Sequence, residues 1–224
     1  MGESIAHAVM PCWLESVSKS GAAVTKDKYA NFAKLARAER GKKSFRIRLR
    51  RRAARTAVIA PHGGGIEPGT SEIAEAIAGA NLSFYAFEGR KIKHNGHLHI
   101  TSTNFDEPRC IALIARSERV IAIHGQGGDA DVVLLGGRDR ATIQRLRESL
   151  GRSGFPLQNI RNPLLEGRAA ANICNRGTQG SGVQIELSEG MRRTFFRSLG
   201  TRRGRQTQTP RFRDFVEAVR RVIT

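Results

Sequence analysis

VIAPHGGG, residues 58–65, and VIAIHGQG, residues 120–127, decide the fold of this chain. In each, a short apolar run ends in His-Gly, with the histidine at the same offset. Val58, Ile59 and Ala60 offer apolar side chains in both directions, as a central strand covered on both faces requires. The glycines behind each histidine let the backbone turn sharply and leave room for a ligand. Nothing beyond these few residues repeats, so the echo marks two similar strand ends rather than a duplicated unit.

Around these runs the hydrophobic period switches between strand and helix. SFRIRLRRRAAR, residues 44–55, puts Phe45, Ile47 and Leu49 on one face and Arg46, Arg48 and Arg50 on the other. This predicts a half-buried strand whose arginines solvate an outer face. LSFYAFEG (82–89), HLHITST (97–103), VVLLGG (132–137) and GVQIELS (182–188) read as further strands. KDKYANFAKLARAER (26–40) has Tyr29, Phe32, Leu35 and Ala36 at helical spacing, with Gly41 at the C-cap position. GTSEIAEAIAGA (69–80) opens on Thr70 or Ser71 as N-cap, with Glu72 and Glu75 suited to the helix dipole. IALIARSE (111–118) reads as a helix rather than a strand, and residues 139–154 and 211–224 as amphipathic helices. TRRGRQTQTP (201–210) reads as a basic loop or linker. The alternation predicts an α/β fold, with one domain over residues 26–224 built on a mixed central sheet flanked by helices. Residues 1–25 are expected to be an N-terminal extension.

Lys plus Arg number 38 against 20 acidic residues, a net charge of +18. Such a field attracts a polyanion and speeds its encounter. Nucleic acid is the default candidate, with acidic polysaccharides, membrane surfaces and acidic amino-acid polymers as others. Aromatics are only 6% of the chain, and no helix-turn-helix, zinc-finger spacing or aromatic RNA-binding pattern is present. No specific nucleic-acid partner is therefore expected, though a basic nucleic-acid-binding module stands as the alternative class. Cys12, Cys110 and Cys174 have no paired spacing and read as reduced, partly buried thiols of a protein made in the cytoplasm. No run approaches the ~20 apolar residues of a membrane span. The first residues lack the basic segment of a secretory signal, so release from the cell would need another route. A monomer is expected.

In an open α/β sheet, ligands gather beyond the carboxyl ends of the central strands. His62 and His124 both lie there, and Glu67 follows His62 across the glycine run, which can fold the carboxylate back. Two histidines and a carboxylate form a set suited to catalytic zinc, leaving one position open. A metal hydrolase also needs a general base. Glu186 qualifies, because an acid inside an apolar strand is costly unless paired or functional; a salt-bridged role is the alternative. Asn175 and Arg176, just before that strand, and Arg109 are candidate binders of substrate carboxylates. His94, His97 and His99 are an alternative metal cluster.

PHGGGIEPGTSEIAEAI (61–77), LHITSTNFDEP (98–108), the second His-Gly and NICNRGTQGSGVQIELS (172–188) resemble the phage and bacterial poly-γ-glutamate hydrolase family. The likeness runs from about residue 28 to the C-terminus. It implies a zinc carboxypeptidase-like core and zinc-dependent hydrolysis of γ-linked polyglutamate, a capsule polymer. It also implies that His62, Glu67 and His124 are zinc ligands and that Glu186 is the catalytic glutamate. Arg176 and Asn175 would bind carboxylates. The polymer carries a free carboxylate on every unit, in keeping with the basic charge. A zinc amidase or carboxypeptidase acting on small γ-glutamyl or N-acyl amino acids is the rival within the same chemistry.

Overall fold

A computed structural model describes residues 27–224; the expected extension, and Cys12 with it, lies outside the described residues. The strands are β1 (Phe45–Arg50), β2 (Thr56–Gly64), β3 (Ser83–Gly89), β4 (Arg119–Gly125), β5 (Val133–Gly137), β6 (Leu157–Gln158) and β7 (Val183–Leu187). They form one sheet in the order β1-β3-β2-β4-β7-β5-β6. β3, β2, β4 and β7 run parallel, while β1 and β5 lie antiparallel to β3 and β7. The helices are α1 (Phe32–Ala38), α2 (Gly41–Ser44), α3 (Thr70–Ala78), α4 (Pro108–Ile114), α5 (Arg140–Arg152), α6 (Glu189–Phe195), α7 (Arg202–Arg205) and α8 (Pro210–Ile223). The expected mixed-sheet α/β domain is the fold.

Each central strand feeds two cores because its side chains alternate. In β4, Ile121 and Ile123 join Ile73, Ile77, Leu146, Leu150, Phe195 and Phe215 under α3, α5, α6 and α8. Val120 and Ala122 face the other way, onto Leu35, Ile100, Phe105, Cys110 and Ile173. Both faces being covered explains the continuous apolar runs. Cys110 and Cys174 are buried free thiols.

Several local expectations change. The α3 N-cap is Gly69 at φ 95°, not Thr70 or Ser71; Thr70 Oγ1 instead donates to the Glu67 carbonyl at 2.8 Å. α1 starts late, capped by Asn31, and Gly41 opens α2 rather than closing α1. The arginines of β1 do not merely solvate an outer face. Arg46 and Arg48 pair with Glu88, Arg48 also with Glu75, and Arg50 and Arg48 lie over the Phe84 ring. Partly exposed pairs of this kind are each worth only about 0–1 kcal/mol. Their effect is to fix which face of the edge strand meets α3.

Residues 97–103 are not a strand. A single 3-10 turn, Asn95–Leu98, leads into an irregular segment. Its backbone groups find partners outside any ladder: Thr101 N–H donates to Asp27 Oδ2 at 2.6 Å, and the Ser102 carbonyl accepts from Ile173 N–H at 2.9 Å. Leu98 and Ile100 are both fully buried, which holds the segment down on the sheet. The 201–210 stretch is likewise not a plain linker. Thr201 caps α7, and Arg205 is buried, with Nε on Glu72 Oε1 at 2.8 Å and Nη1 on the Leu199 carbonyl at 2.7 Å.

Candidate metal centre

The chain leaves β2 for β3 on one side and later lays β4 on the other. The carboxyl ends of β2 and β4 therefore flank a topological switch point, where open α/β sheets bind ligands. His62 ends β2 and His124 ends β4. Glu186 in β7 stands directly beside His124 in the parallel ladder.

Strand parity puts His124 on the face of Val120 and Ala122, and Glu186 on the face of Gln184. His62 would point the opposite way if β2 were regular, on the face of Val58 and Ala60. A register shift between Ala60 and Gly63 turns it over. The loop then doubles back: Gly64 adopts φ +67° against the Gly89 carbonyl, and Glu67 N–H donates to the His62 carbonyl at 2.8 Å. A side chain at Gly64 would be strained in that conformation and would sit 2.5 Å from the Gly89 oxygen.

The three predicted ligands meet. His62 Nδ1 lies 2.9 Å from Glu67 Oε1 and 3.2 Å from His124 Nδ1; His124 Nδ1 is 3.6 Å from Glu67 Oε2. His62 Nε2 is 2.8 Å from the Ile100 carbonyl, which can only accept, so that nitrogen carries the proton. With Nε2 committed to that carbonyl, His62 Nδ1 is the nitrogen that faces a carboxylate oxygen and a second imidazole nitrogen. Two imidazole nitrogens and a carboxylate this close together need positive charge between them, carried by protons or by a metal ion. Bonds of ~2.0–2.1 Å in a tetrahedral zinc site set neighbouring ligand atoms about 3.3 Å apart, which matches this spacing. The donation from His62 to a backbone carbonyl is the outer-shell contact typical of metal-bound histidine. His124 Nε2 has Ser102 Oγ at 3.4 Å in the equivalent place. The residues fit zinc.

The electrostatics agree. Burial would raise the Glu67 carboxyl, but the His62 charge and hydrogen bonds from His124 and His62 outweigh it and hold it below the usual carboxylate range. Burial disfavours charge on His124, yet Glu186 and Glu67 push its pKa up. Both directions describe a site that gathers cations, either protons or a divalent metal that displaces them. Glu186, 4% exposed, is pushed up to about 7 by burial and by the Glu67 charge, against His124 and Arg192. Its Oε1 accepts from Gln184 Nε2 at 2.9 Å, and Gln184 is held in turn by Asn172. A carboxylate poised near neutral pH suits a general base.

The sequence model of the family described as poly-gamma-glutamate hydrolase matches residues 29–218. The chain belongs to the poly-γ-glutamate hydrolase family. It is 37% identical over 199 residues to YndL of Bacillus subtilis, covering 88% of this chain and 78% of that one. It is 36% identical over 200 residues to the SPbeta prophage-derived protein YoqZ of Bacillus subtilis, covering 88% and 72%. The fold superposes on a bacteriophage poly-gamma-glutamate hydrolase with a TM-score of 0.84 at 29% identity, covering 88% and 96% of the two chains. A zinc-free, apo form of YndL gives 0.80 at 36% identity, covering 88% and 97%.

Other candidates of this family member fall elsewhere. Asn175 is buried and its amide is fully used: Nδ2 donates to the Gly167 and Ala169 carbonyls at 2.7 and 2.9 Å, and Oδ1 accepts from Gly182 N–H at 3.0 Å. Arg176 donates to the Phe105 carbonyl at 3.1 Å, and exposed Arg109 to Glu107 at 3.0 Å. Asn175→Ala is expected to cost about 1–3 kcal/mol of stability through stranded backbone groups. Thermal melts and kinetics on the folded variant check this; kcat/KM should change less than about threefold, whereas a substrate contact of Asn175 would weaken binding by more. His94 and His97 stack on each other at the surface, 5.2 Å apart, and do not join His99. His99 instead lies 4.1 Å from the His62 ring, with Nδ1 on Asp27 at 2.7 Å. His62, Glu67 and His99 each offer a ligand atom within 4.8 Å of the others, a second donor set that could hold a metal ion. The His62 charge and burial depress the His99 pKa to about 4, so His99 is neutral at working pH. The period-two pattern of 97–103 gives no sign of this placement, because the segment is irregular backbone and not a strand.

Proposed function

We propose that this chain is a zinc-dependent amidohydrolase that cleaves the γ-glutamyl amide bonds of poly-γ-glutamate. One observation carries the reading: the Nδ1 atoms of His62 and His124 and the Glu67 carboxylate face one another beside buried Glu186, whose pKa burial pushes up to about 7. Zinc held there would polarise the scissile carbonyl and favour ionisation of water. Glu186 takes a proton from the attacking water as its oxygen bonds to the carbonyl carbon. It then delivers that proton to the departing nitrogen as the C–N bond breaks, leaving a γ-carboxylate and a free amine. Ile100, Ser102 and Gln184 orient the imidazoles and the base.

Two cavities support an extended anionic substrate. One of about 630 Å³ adjoins Glu67 and Gly125 and carries Arg193 and Arg197. The other, about 860 Å³, carries Arg90, Lys91 and Arg202, and Pro68 and Gly200 line both. The test is cleavage of poly-γ-glutamate beside a small γ-glutamyl amide. The polymer is expected to be the better substrate by at least about tenfold in kcat/KM, an advantage that shrinks with salt as the charges are screened. Equal kcat/KM values would return the small-amide reading. Arg197→Glu with Arg202→Glu should raise KM for the polymer roughly tenfold, with kcat and small-amide turnover little changed.

A further inference from the structure

We infer that Arg192 is the positioning residue that holds two ligand-bearing segments and the strand end carrying the base at the separation a metal centre needs. The inference rests on the metal centre proposed above and adds a residue to its outer shell. Arg192 lies on α6, only 4% exposed. Its Nε donates to the Leu187 carbonyl at 3.2 Å, Nη1 to the Pro68 carbonyl at 2.7 Å and Nη2 to the Gln126 carbonyl at 2.8 Å. Leu187 directly follows Glu186, Pro68 directly follows Glu67, and Gln126 lies two residues past His124. One planar cation thus joins β7, the returning β2 loop and β4 at the points where they deliver the base and two ligands.

The guanidinium also packs flat on Gly125. A Cβ at Gly125 would stand 2.6 Å from Arg192 Cζ. Gly125 N–H in turn donates to Glu67 Oε2 at 2.8 Å, so Arg192 backs the peptide that orients the carboxylate. Three diverging carbonyls need three nitrogens fixed in one plane, which arginine supplies and a lysine ammonium on a flexible stem does not. Outer-shell partners that orient ligands typically contribute 10–100-fold to metal affinity.

The experiment uses full-length protein, as wild type, Arg192→Lys and Gly125→Ala. The second variant keeps the arginine but pushes it off the strand end, and it is available if the lysine protein folds poorly. Zinc affinity of the folded protein is measured by competition with a chromogenic chelator. The visible spectrum of the cobalt-substituted protein reports ligand geometry, and melting of the metal-free form reports packing. Expected results are zinc binding weakened about 10–100-fold in both variants and an altered cobalt spectrum. If the metal-free variants melt lower but bind zinc and show cobalt spectra as wild type does, Arg192 is only a packing residue and the inference is overturned. If wild type itself takes up no zinc, the metal centre fails and this inference falls with it.

Discussion

Glu186→Gln is expected to lower kcat on poly-γ-glutamate by about 10²–10⁴-fold, the usual contribution of a general base, while zinc content stays at the wild-type level. The substitution keeps the shape of the side chain. Gln184 Nε2 can still donate to an oxygen at position 186, so the chain Asn172–Gln184–186 survives. Only the ability to accept a proton is lost. A stability readout separates this role from a structural one. Burial raises the Glu186 pKa from 4.5 to about 7 in the metal-free fold, with the Glu67 charge adding to it. Between those values the folded protein holds a proton that the unfolded chain has released. The stabilising contribution is full below 4.5 and is lost as pH rises through about 7. Metal-free Glu186→Gln escapes that loss, so its melting temperature relative to metal-free wild type should rise across this window. A variant that keeps full activity would remove Glu186 from the chemistry. One that melts lower at every pH would make it a structural anchor.

Removing zinc is expected to abolish hydrolysis and to lower the melting temperature; adding zinc back should restore both. At free zinc about 1,000 times Kd, binding only to the folded state stabilises it by about 4 kcal/mol. For a chain of this size each kcal/mol moves Tm by about 2–4 °C, so the shift should be about 8–16 °C. His62→Ala and His124→Ala should each lose zinc and show no such shift. The metal-free protein is expected to keep its fold, because the two cores are built from apolar side chains on both faces of the sheet and His124, whose pKa is pushed up, can carry a proton in place of the metal. Elemental analysis of purified wild type and His62→Ala, followed by chelation and melting, checks each step. Full activity after exhaustive chelation would sink the metal mechanism.

Much of this architecture is legible in the chain. β2, β3, β4, β5 and β7 lie where the apolar runs place them, because strands covered on both faces have little choice but continuous hydrophobicity. α3, α5 and α8 follow their helical stripes. Residues 97–103 went astray for an equally physical reason. His97, His99 and Thr101 alternate with buried Leu98 and Ile100, yet Thr101 N–H donates to Asp27 and the Ser102 carbonyl accepts from Ile173 N–H, both far away in sequence. Local period cannot encode a distant partner. The pairing of the β1 arginines is hidden from the local pattern for the same cause, since Glu75 and Glu88 belong to α3 and β3.

By itself the sequence determined that two strands end in His-Gly, that glycines let Glu67 return toward His62, and that a late apolar strand carries an acid. These follow from burial periodicity and backbone freedom, which are local properties. Only the tertiary structure decided the rest. Strand order set β4 against both β2 and β7. The register shift at Ala60–Gly63 turned His62 onto the face of His124. Asn175 was taken up by its own loop, and Arg192 was threaded between three strand ends. The physical reason is that these depend on which segments become neighbours, and hydrophobic period says only that a segment is buried, not beside what.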